Sequence, residues 1–215
     1  TLFNAVLDLA PKFQKMFAKP VSETLGTSCA RFVSPLLGDR HFLPLAKTSW
    51  HKKMGEVDTP RGQSGLKIAF YPGCLVDKVF PRVAEAAFSV LEHFGVGVYM
   101  PSRQVCCGIP ALSSGDRKTY DRLVRDNLDL FAGREVDCLI TPCATCTATI
   151  KKIWPLMAED YPERDRERIQ ALADKTMDIC QFIAGSFPPG PVQKAQSETE
   201  TVTYHDPCHL KKSLG

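Results

Sequence analysis

Two adjacent cysteines, Cys106 and Cys107, are followed directly by Gly108. An adjacent pair is poorly suited to an internal disulfide, because the eight-membered ring that it would close is strained. As thiolate ligands, the two side chains can point apart and contact different metal atoms of one inorganic group. Gly108 leaves room for such a group near the backbone, and Pro110 stiffens the loop. The pair therefore indicates metal or redox chemistry.

Three further cysteines have spacings that fit the same chemistry. Cys74 precedes the pair by 31 intervening residues, and Cys143 follows it by 35. Cys143 and Cys146 form a C-x-x-C motif at the start of a predicted helix, where the helix dipole favours the negative charge of thiolates. Five sulfur ligands exceed the four of a tetrahedral zinc site, so the set favours an iron–sulfur cluster.

Predicted strands and helices alternate around these cysteines. The strands cover residues 66–71, 96–100 and 137–141, and the helices cover 81–95, 115–133 and 146–158. This order predicts an α/β fold, a parallel-sheet βαβαβα domain with helices on its faces. One cysteine or cysteine pair follows each strand. Because the carboxyl ends of parallel strands lie along one edge of a sheet, we expect the five sulfur atoms to converge there.

The flanking regions divide the chain into three predicted parts. They are a helical extension and linker over 1–65, a first cysteine-rich domain over 66–190, and a linker with the start of a truncated second domain over 191–215. Residues 1–18 have the periodicity of an amphipathic helix or helix pair, which either packs on the following domain or docks a partner domain. We also expect a helix over 171–185 and a strand over 201–206.

Composition excludes several classes of protein. The 215 residues are 44% apolar and 24% charged, which suffices for a folded core. A net charge of +3 is too small for a nucleic-acid-binding surface. No apolar run predicts a transmembrane segment, and no secretory signal is recognisable. We therefore expect a cytoplasmic protein whose nine cysteines stay reduced.

The pattern C-x31-CCG-x34-C-x-x-C resembles the CCG cysteine-rich domain. That domain occurs in one subunit of heterodisulfide reductase and in the iron–sulfur subunits of glycolate and lactate oxidising complexes and of anaerobic glycerol-3-phosphate dehydrogenase. Residues 66–146 match one whole domain motif, and YHDPCHLKKSLG at 204–215 is similar to the opening of a second. The segment RHFLPLAKTSWHKK resembles the linker after a ferredoxin-like domain. We thus expect a fragment that lacks its N-terminal ferredoxin-like domain and most of the second repeat.

The resemblance implies that a [4Fe–4S] cluster, non-cubane in heterodisulfide reductase, is bound by Cys74, Cys106, Cys107, Cys143 and Cys146. It implies a relay of electrons from a flavoprotein dehydrogenase subunit, which oxidises lactate, glycolate or glycerol 3-phosphate, to a quinone or disulfide acceptor. Substrate chemistry then occurs on another subunit, and any membrane contact is peripheral, through the complex. Cys208 corresponds to the first metal ligand of the second repeat, whose other ligands are missing. The isolated fragment is expected to be prone to losing its iron in air.

Two other interpretations of the motif cysteines stay open at this point. One is a structural zinc site in an interaction module, and the other is a thiol–disulfide oxidoreductase that uses Cys143 and Cys146. The cysteines outside the motif, Cys29, Cys138 and Cys180, are predicted to pack as small apolar residues. His205 and His209 are predicted to form hydrogen bonds rather than to bind metal, and Asp206 is predicted to cap a helix.

Overall fold

The computed structural model describes residues 9–14, 18–20, 30–32, 41–188, 201, 203–204 and 206–214. Near the N-terminus, residues 9–14 are helical, and the rest of the predicted first helix lies outside the described residues. Three short antiparallel strands follow, β1 (Ala18–Pro20), β2 (Ala30–Phe32) and β3 (His41–Phe42). The predicted linker therefore contains strands as well as helix.

A mixed sheet of five described strands forms the centre of the fold, in the order β4-β6-β5-β7-β8. The strands are β4 (Val57–Asp58), β5 (Lys67–Phe70), β6 (Gly97–Met100), β7 (Cys138–Thr141) and β8 (Thr176–Asp178). Neighbouring strands are parallel except β4, which pairs antiparallel with β6 at the edge. The predicted α/β fold with a parallel sheet is confirmed, with one antiparallel edge strand added from upstream of residue 66.

Both faces of the sheet are covered by helices. Beyond residue 42, the described α-helices are α1 (Trp50–Met54), α2 (Gly73–Lys78), α3 (Pro81–His93), α4 (Ile109–Ser113), α5 (Arg117–Phe131), α6 (Ala144–Ala148), α7 (Trp154–Leu156), α8 (Glu163–Lys175) and α9 (Ile179–Ser186). Along β5, Ile68 and Phe70 pack in one apolar cluster, and Ala69 packs in the other. Because side chains alternate between two buried faces, the strand is apolar throughout. None of the helices described is both long and apolar enough to cross a membrane.

Two predicted elements differ from the structure. The helix predicted over 171–185 is wrong, because β8 pairs with β7 in its middle and Asp178 starts a new helix by accepting a hydrogen bond from the Cys180 amide at 2.8 Å. The charged residues before it are part of α8, whose apolar side chains are buried. At positions 201, 203–204 and 206 no strand is present, while 202 and 205 lie outside the described residues.

The helix after β7 is interrupted by one π-helical turn, Thr149–Ile153, between α6 and α7. Pro155 lies just beyond this turn and has no amide hydrogen for a regular helical bond. The Thr149 hydroxyl also donates to the Thr145 carbonyl oxygen at 2.7 Å, a contact that commonly bends helices. The widened turn brings Trp154 against the loop that carries the adjacent cysteines.

Candidate functional site

Five cysteine sulfur atoms meet at one edge of the sheet. Cys74 follows β5, the adjacent pair follows β6, and the C-x-x-C motif follows β7, three strands that are neighbours and parallel. The Cys74 and Cys106 Sγ atoms are 3.4 Å apart. Hydrogen bonds between side chains continue the contact from Cys106 to Cys107, from Cys107 to Cys146 and from Cys146 to Cys143. The sulfur atoms thus form one continuous group.

The group extends from the protein interior to its surface. The residues Cys107 and Cys146 are only 2% and 5% exposed. Cys106 and Cys143 are half-buried, and Cys74 is exposed. An inorganic group held by these atoms would be shielded from water on one side and close to solvent on the other.

Backbone amides of the CCG loop point at its sulfur atoms. The Cys107 and Gly108 amides donate to the Cys106 sulfur, and the Ile109 amide donates to the Cys107 sulfur. These N–H groups lie where α4 begins, so they have no carbonyl partner within the helix. They stabilise negative charge on the two cysteines.

The C-x-x-C motif has the same arrangement at the start of α6. Cys143 is the N-cap residue of that helix, and its sulfur accepts hydrogen bonds from the Thr145 and Cys146 amides. The Cys143 amide in turn donates to the Thr141 hydroxyl at 3.2 Å. The amides at the start of α6 therefore also point toward the sulfur group.

These contacts lower the pKa of two thiols and raise the pKa of the other three. Hydrogen bonds from Cys107 and Cys74 lower the pKa of Cys106 to about 3, and a hydrogen bond from Cys146 lowers that of Cys143 to about 6. The bond to Cys106 and burial raise the pKa of Cys107 to about 12. The bond to Cys106 and burial also raise the pKa of Cys74, and bonds to Cys107 and Cys143 together with burial raise that of Cys146. Cys106 and Cys143 are therefore the thiols of this group that lose their protons most readily.

Buried side chains fix the CCG loop from behind. Three successive carbonyl groups of the loop each accept a hydrogen bond from a side chain of a different element. The bonds are Tyr71 Oη to Val105 O at 2.9 Å, Asn127 Nδ2 to Cys106 O at 3.0 Å and Trp154 Nε1 to Cys107 O at 2.9 Å. With its carbonyl groups held inward, the loop turns its amides toward the sulfur atoms.

Two glycines beside the cysteines cannot be replaced without a clash. Gly73 has a φ of +78°, and a Cβ atom there would lie 2.8 Å from the Cys146 Sγ. Gly108 has a φ of +95°, and its Cβ would lie 2.8 Å from Cδ2 of Tyr120. Both positions require glycine for backbone conformation and for space.

The donor set fits a polynuclear group held by thiolates. Within the part of the chain that the structure describes, no three Cys, His, Asp or Glu side chains are arranged to hold a single metal ion. Five sulfur atoms in successive contact, served by backbone amides, are ligands of the kind that iron–sulfur clusters use. The buried hydroxyl of Tyr120 and Oδ1 of Asn127 have no hydrogen-bond partner behind the same loop.

Cys208 makes no contact with the five sulfur atoms among the described residues, and it is exposed. Its neighbour His209 hydrogen-bonds through Nδ1 to Thr145 Oγ1 at 3.2 Å, which places the segment 206–214 beside α6. Asp206 forms an ion pair with Lys211 at 2.8 Å. His205 and Cys29 lie outside the described residues.

The cysteines outside the motif differ in their surroundings. Cys138 is buried in the core, as predicted, and burial raises its pKa to about 12. The prediction that Cys180 is buried as well is wrong, because it lies on the exposed side of α9. Sequence reasoning missed the loop anchors Asn127 and Trp154, since neither belongs to a motif with a recognisable spacing.

Comparison with known proteins agrees with this geometry. The family of cysteine-rich CCG domains matches residues 68–151, the stretch that carries all five converging cysteines. No solved structure matches the chain.

Curated relatives extend the similarity beyond that stretch. An iron–sulfur protein of Methanocaldococcus jannaschii is 36% identical over 153 residues, 71% of this chain and 27% of its own length. One of the subunits of the fumarate reductase (CoM/CoB) of Methanothermobacter marburgensis is 31% identical over 97% of this chain and 40% of its own length. Lactate utilization protein A of an Exiguobacterium species is 30% identical over 69% of this chain and 59% of its own.

The chain thus spans between about a quarter and three fifths of the lengths of these relatives. The family match covers the adjacent cysteines, their glycine and the whole sulfur group at the sheet edge. Residues 68–151 of this chain belong to the family of cysteine-rich CCG domains.

Proposed function

We propose that this chain is part of an iron–sulfur subunit that transfers electrons within an oxidoreductase complex. The observation that carries the proposal is the continuous group of five sulfur atoms at the edge of the sheet. The proposed ligands of a four-iron cluster are Cys74, Cys106, Cys107, Cys143 and Cys146. Such a cluster stores and releases single electrons at a potential set by its charge, its hydrogen bonds and its exposure.

The residues around the site have separate tasks in this function. Cys107 and Cys146 bind from the dry side and exclude water, because both are buried. Cys74 binds from the exposed side, where a partner protein can approach. The amides of Gly108 and Ile109 donate to sulfur and so favour the more negative, reduced state.

The wider electron path is part of the same proposal, and the names of two relatives support it. One relative is named for lactate utilization and another is part of a fumarate reductase. The donor is a flavin-dependent dehydrogenase of a 2-hydroxy acid or of glycerol 3-phosphate, and the acceptor is a quinone or a disulfide. The oxidised substrate is bound by the flavoprotein and not by this chain. We propose Cys208 as the first ligand of a second set.

Purification under argon followed by metal and sulfide analysis tests the proposal. We expect iron and acid-labile sulfide in equal amounts and a broad visible absorption that dithionite bleaches. Stoichiometric zinc without sulfide would instead establish a structural metal site. A metal-free protein that reversibly exchanges two electrons between thiols and a disulfide would establish a thiol–disulfide oxidoreductase.

A second measurement tests the donor. A flavin-dependent lactate or glycolate dehydrogenase from the same organism is mixed with the iron-loaded chain and its substrate. The visible absorption is expected to bleach only when flavoprotein and substrate are both present. Unchanged absorption with each dehydrogenase would contradict the proposed donor but not the cluster.

A further inference from the structure

One buried side chain on α5 is an amide where the others are apolar or aromatic. Asn127 is completely buried, and the rest of the buried face of this helix consists of Tyr120, Val124, Leu128 and Phe131. Oδ1 of Asn127 is buried without a hydrogen-bond partner among the described residues. Because an unpartnered buried polar atom destabilises the folded state, leucine would suit this position better than asparagine if stability alone decided.

The Nδ2 atom of Asn127 makes the contact that points to another role. It donates to the carbonyl oxygen of Cys106 at 3.0 Å and to that of Leu123 at 2.9 Å. The Leu123 carbonyl lies one turn earlier in α5, where the helix backbone already supplies a donor. The bond to Cys106 is the one that reaches out of the helix and holds the CCG loop.

The peptide units of the CCG loop connect this bond to the sulfur atom of Cys106. The loop contains no cis peptide bond, so the C=O and N–H groups of each planar unit point in opposite directions. The carbonyl of Cys106 and the amide of Cys107 form one such unit. With the carbonyl held toward Asn127, the Cys107 amide points the other way and donates to the Cys106 sulfur.

Trp154 has the same relationship with the next peptide unit. Its Nε1 donates to the Cys107 carbonyl at 2.9 Å, and the amide of Gly108 in the same unit also donates to the Cys106 sulfur. A hydrogen bond to the carbonyl polarises a peptide unit and strengthens the donor at its other end. Two side chains from different helices thus hold two amide donors on one sulfur atom.

We propose that Asn127 and Trp154 are positioning residues that set the reduction potential of the cluster through the two amides that donate to Cys106. Hydrogen bonds to the sulfur ligands favour the reduced, more negative state and so raise the potential. Loss of either side-chain bond weakens one amide donor and lowers the potential. The inference rests on the proposed function and deepens it, since the potential decides which donors can reduce the cluster.

Asn127→Leu and Trp154→Phe test the inference, because each variant removes the side-chain donor and keeps a side chain of similar shape. The chains are purified under argon and titrated with dithionite and redox mediators, and the potential is determined from the visible absorption. In each variant we expect the equilibrium constant for one-electron reduction to fall about three- to tenfold, which corresponds to about 30–60 mV. An unchanged potential in either variant would overturn the role of that residue.

Thr176→Val is the matched control. It also removes a bond from a buried side chain to a carbonyl, Thr176 Oγ1 to Leu172 O at 2.7 Å. Thr176 begins β8, whereas the cysteines follow the ends of strands parallel to it. The control is therefore expected to keep the potential of the parent chain. An equal shift in all three variants would assign the effect to a general loosening of the core and would overturn the inference.

Hydrogen exchange of the same samples provides a readout that does not depend on iron. Mass spectrometry of a peptide that covers residues 103–111 is expected to show exchange at least about threefold faster in Asn127→Leu and Trp154→Phe than in the parent chain. Thr176→Val is expected to leave this rate unchanged, and unchanged rates in all variants would contradict the inference. Iron content is measured as well: a parent chain without iron contradicts the proposed function, whereas iron with unchanged potentials overturns this inference alone.

Discussion

The indole Nε1 of Trp154 donates to the carbonyl oxygen of Cys107 at 2.9 Å. The two residues are 47 positions apart in the chain, and both are almost fully buried. The bond links the helical segment after the C-x-x-C motif to the CCG loop. The segment that follows β7 therefore helps to position the cysteines that follow β6. The geometry of the five cysteines therefore depends on packing as much as on the motif.

Replacing Trp154 with Phe removes this bond and keeps an aromatic ring in place. The Cys107 carbonyl then loses its buried partner, which is expected to lower the free energy of unfolding by about 1–3 kcal/mol. The measurement is urea unfolding of the chain. Trp50→Phe is a matched control, because its Nε1 donates only to the Met100 sulfur at 3.3 Å, and a thioether is a weak acceptor. Equal losses in the two variants would contradict the role of the Trp154 bond.

Gly108→Ala is expected to be more destabilising than Gly115→Ala. Both glycines have positive φ angles, +95° and +81°, so both variants introduce backbone strain. Only at Gly108 does the new methyl group meet the ring of Tyr120, while nothing lies within 4 Å of Gly115. Because of this additional crowding, Gly108→Ala is expected to lower the free energy of unfolding by about 1–3 kcal/mol more than Gly115→Ala does, as measured in urea. Equal unfolding free energies for the two variants would contradict the prediction and show that the loop can move away from Tyr120 without cost.

The carboxylate of Asp77 is expected to make stability depend on acid pH. Burial alone would raise its pKa, but hydrogen bonds from His51 and the charge of Lys78 outweigh this effect and lower it. A lowered pKa in the folded state stabilises the protein above the unfolded value of about 3.9, and this contribution is lost as pH falls through the folded value.

Asp77→Asn measures that contribution. The variant is expected to be less stable than the parent chain at pH 7, and the difference in unfolding free energy should narrow as the pH falls below about 4. Asp160→Asn, at an exposed position, controls for the general loss of one negative charge. A difference that stays constant between pH 7 and pH 3 would contradict the role of the Asp77 carboxylate.

The convergence of the cysteines was predictable from the sequence because it follows from topology. Short apolar segments with a cysteine after each, separated by helices with an apolar stripe, specify parallel strands whose carboxyl ends meet. The pairing of Ile68 with both Val98 and Cys138 realises this arrangement. Within residues 66–158, strand and helix bounds differ from the predicted ones by only a few residues.

Side-chain contacts between distant residues outside the cysteine motifs could not be predicted. His51 and Asp77 are 26 positions apart, and neither belongs to a pattern that indicates the other. The helix predicted over 171–185 fails because the local preference for helix is overcome by the pairing of Met177 with Ile140 in the sheet. Such tertiary contacts are visible only in the folded chain.

Iron content of single cysteine variants tests the central claim, that five sulfur atoms hold one cluster. Cys107→Ser and Cys146→Ser, prepared under argon, are expected to lose most of the iron and sulfide bound by the parent chain. Cys138→Ser is a control of matched burial, and Cys180→Ser is an exposed control; both are expected to keep the parent's iron content. Full iron retention by the Cys107 and Cys146 variants, or equal loss in all four, would contradict the assignment.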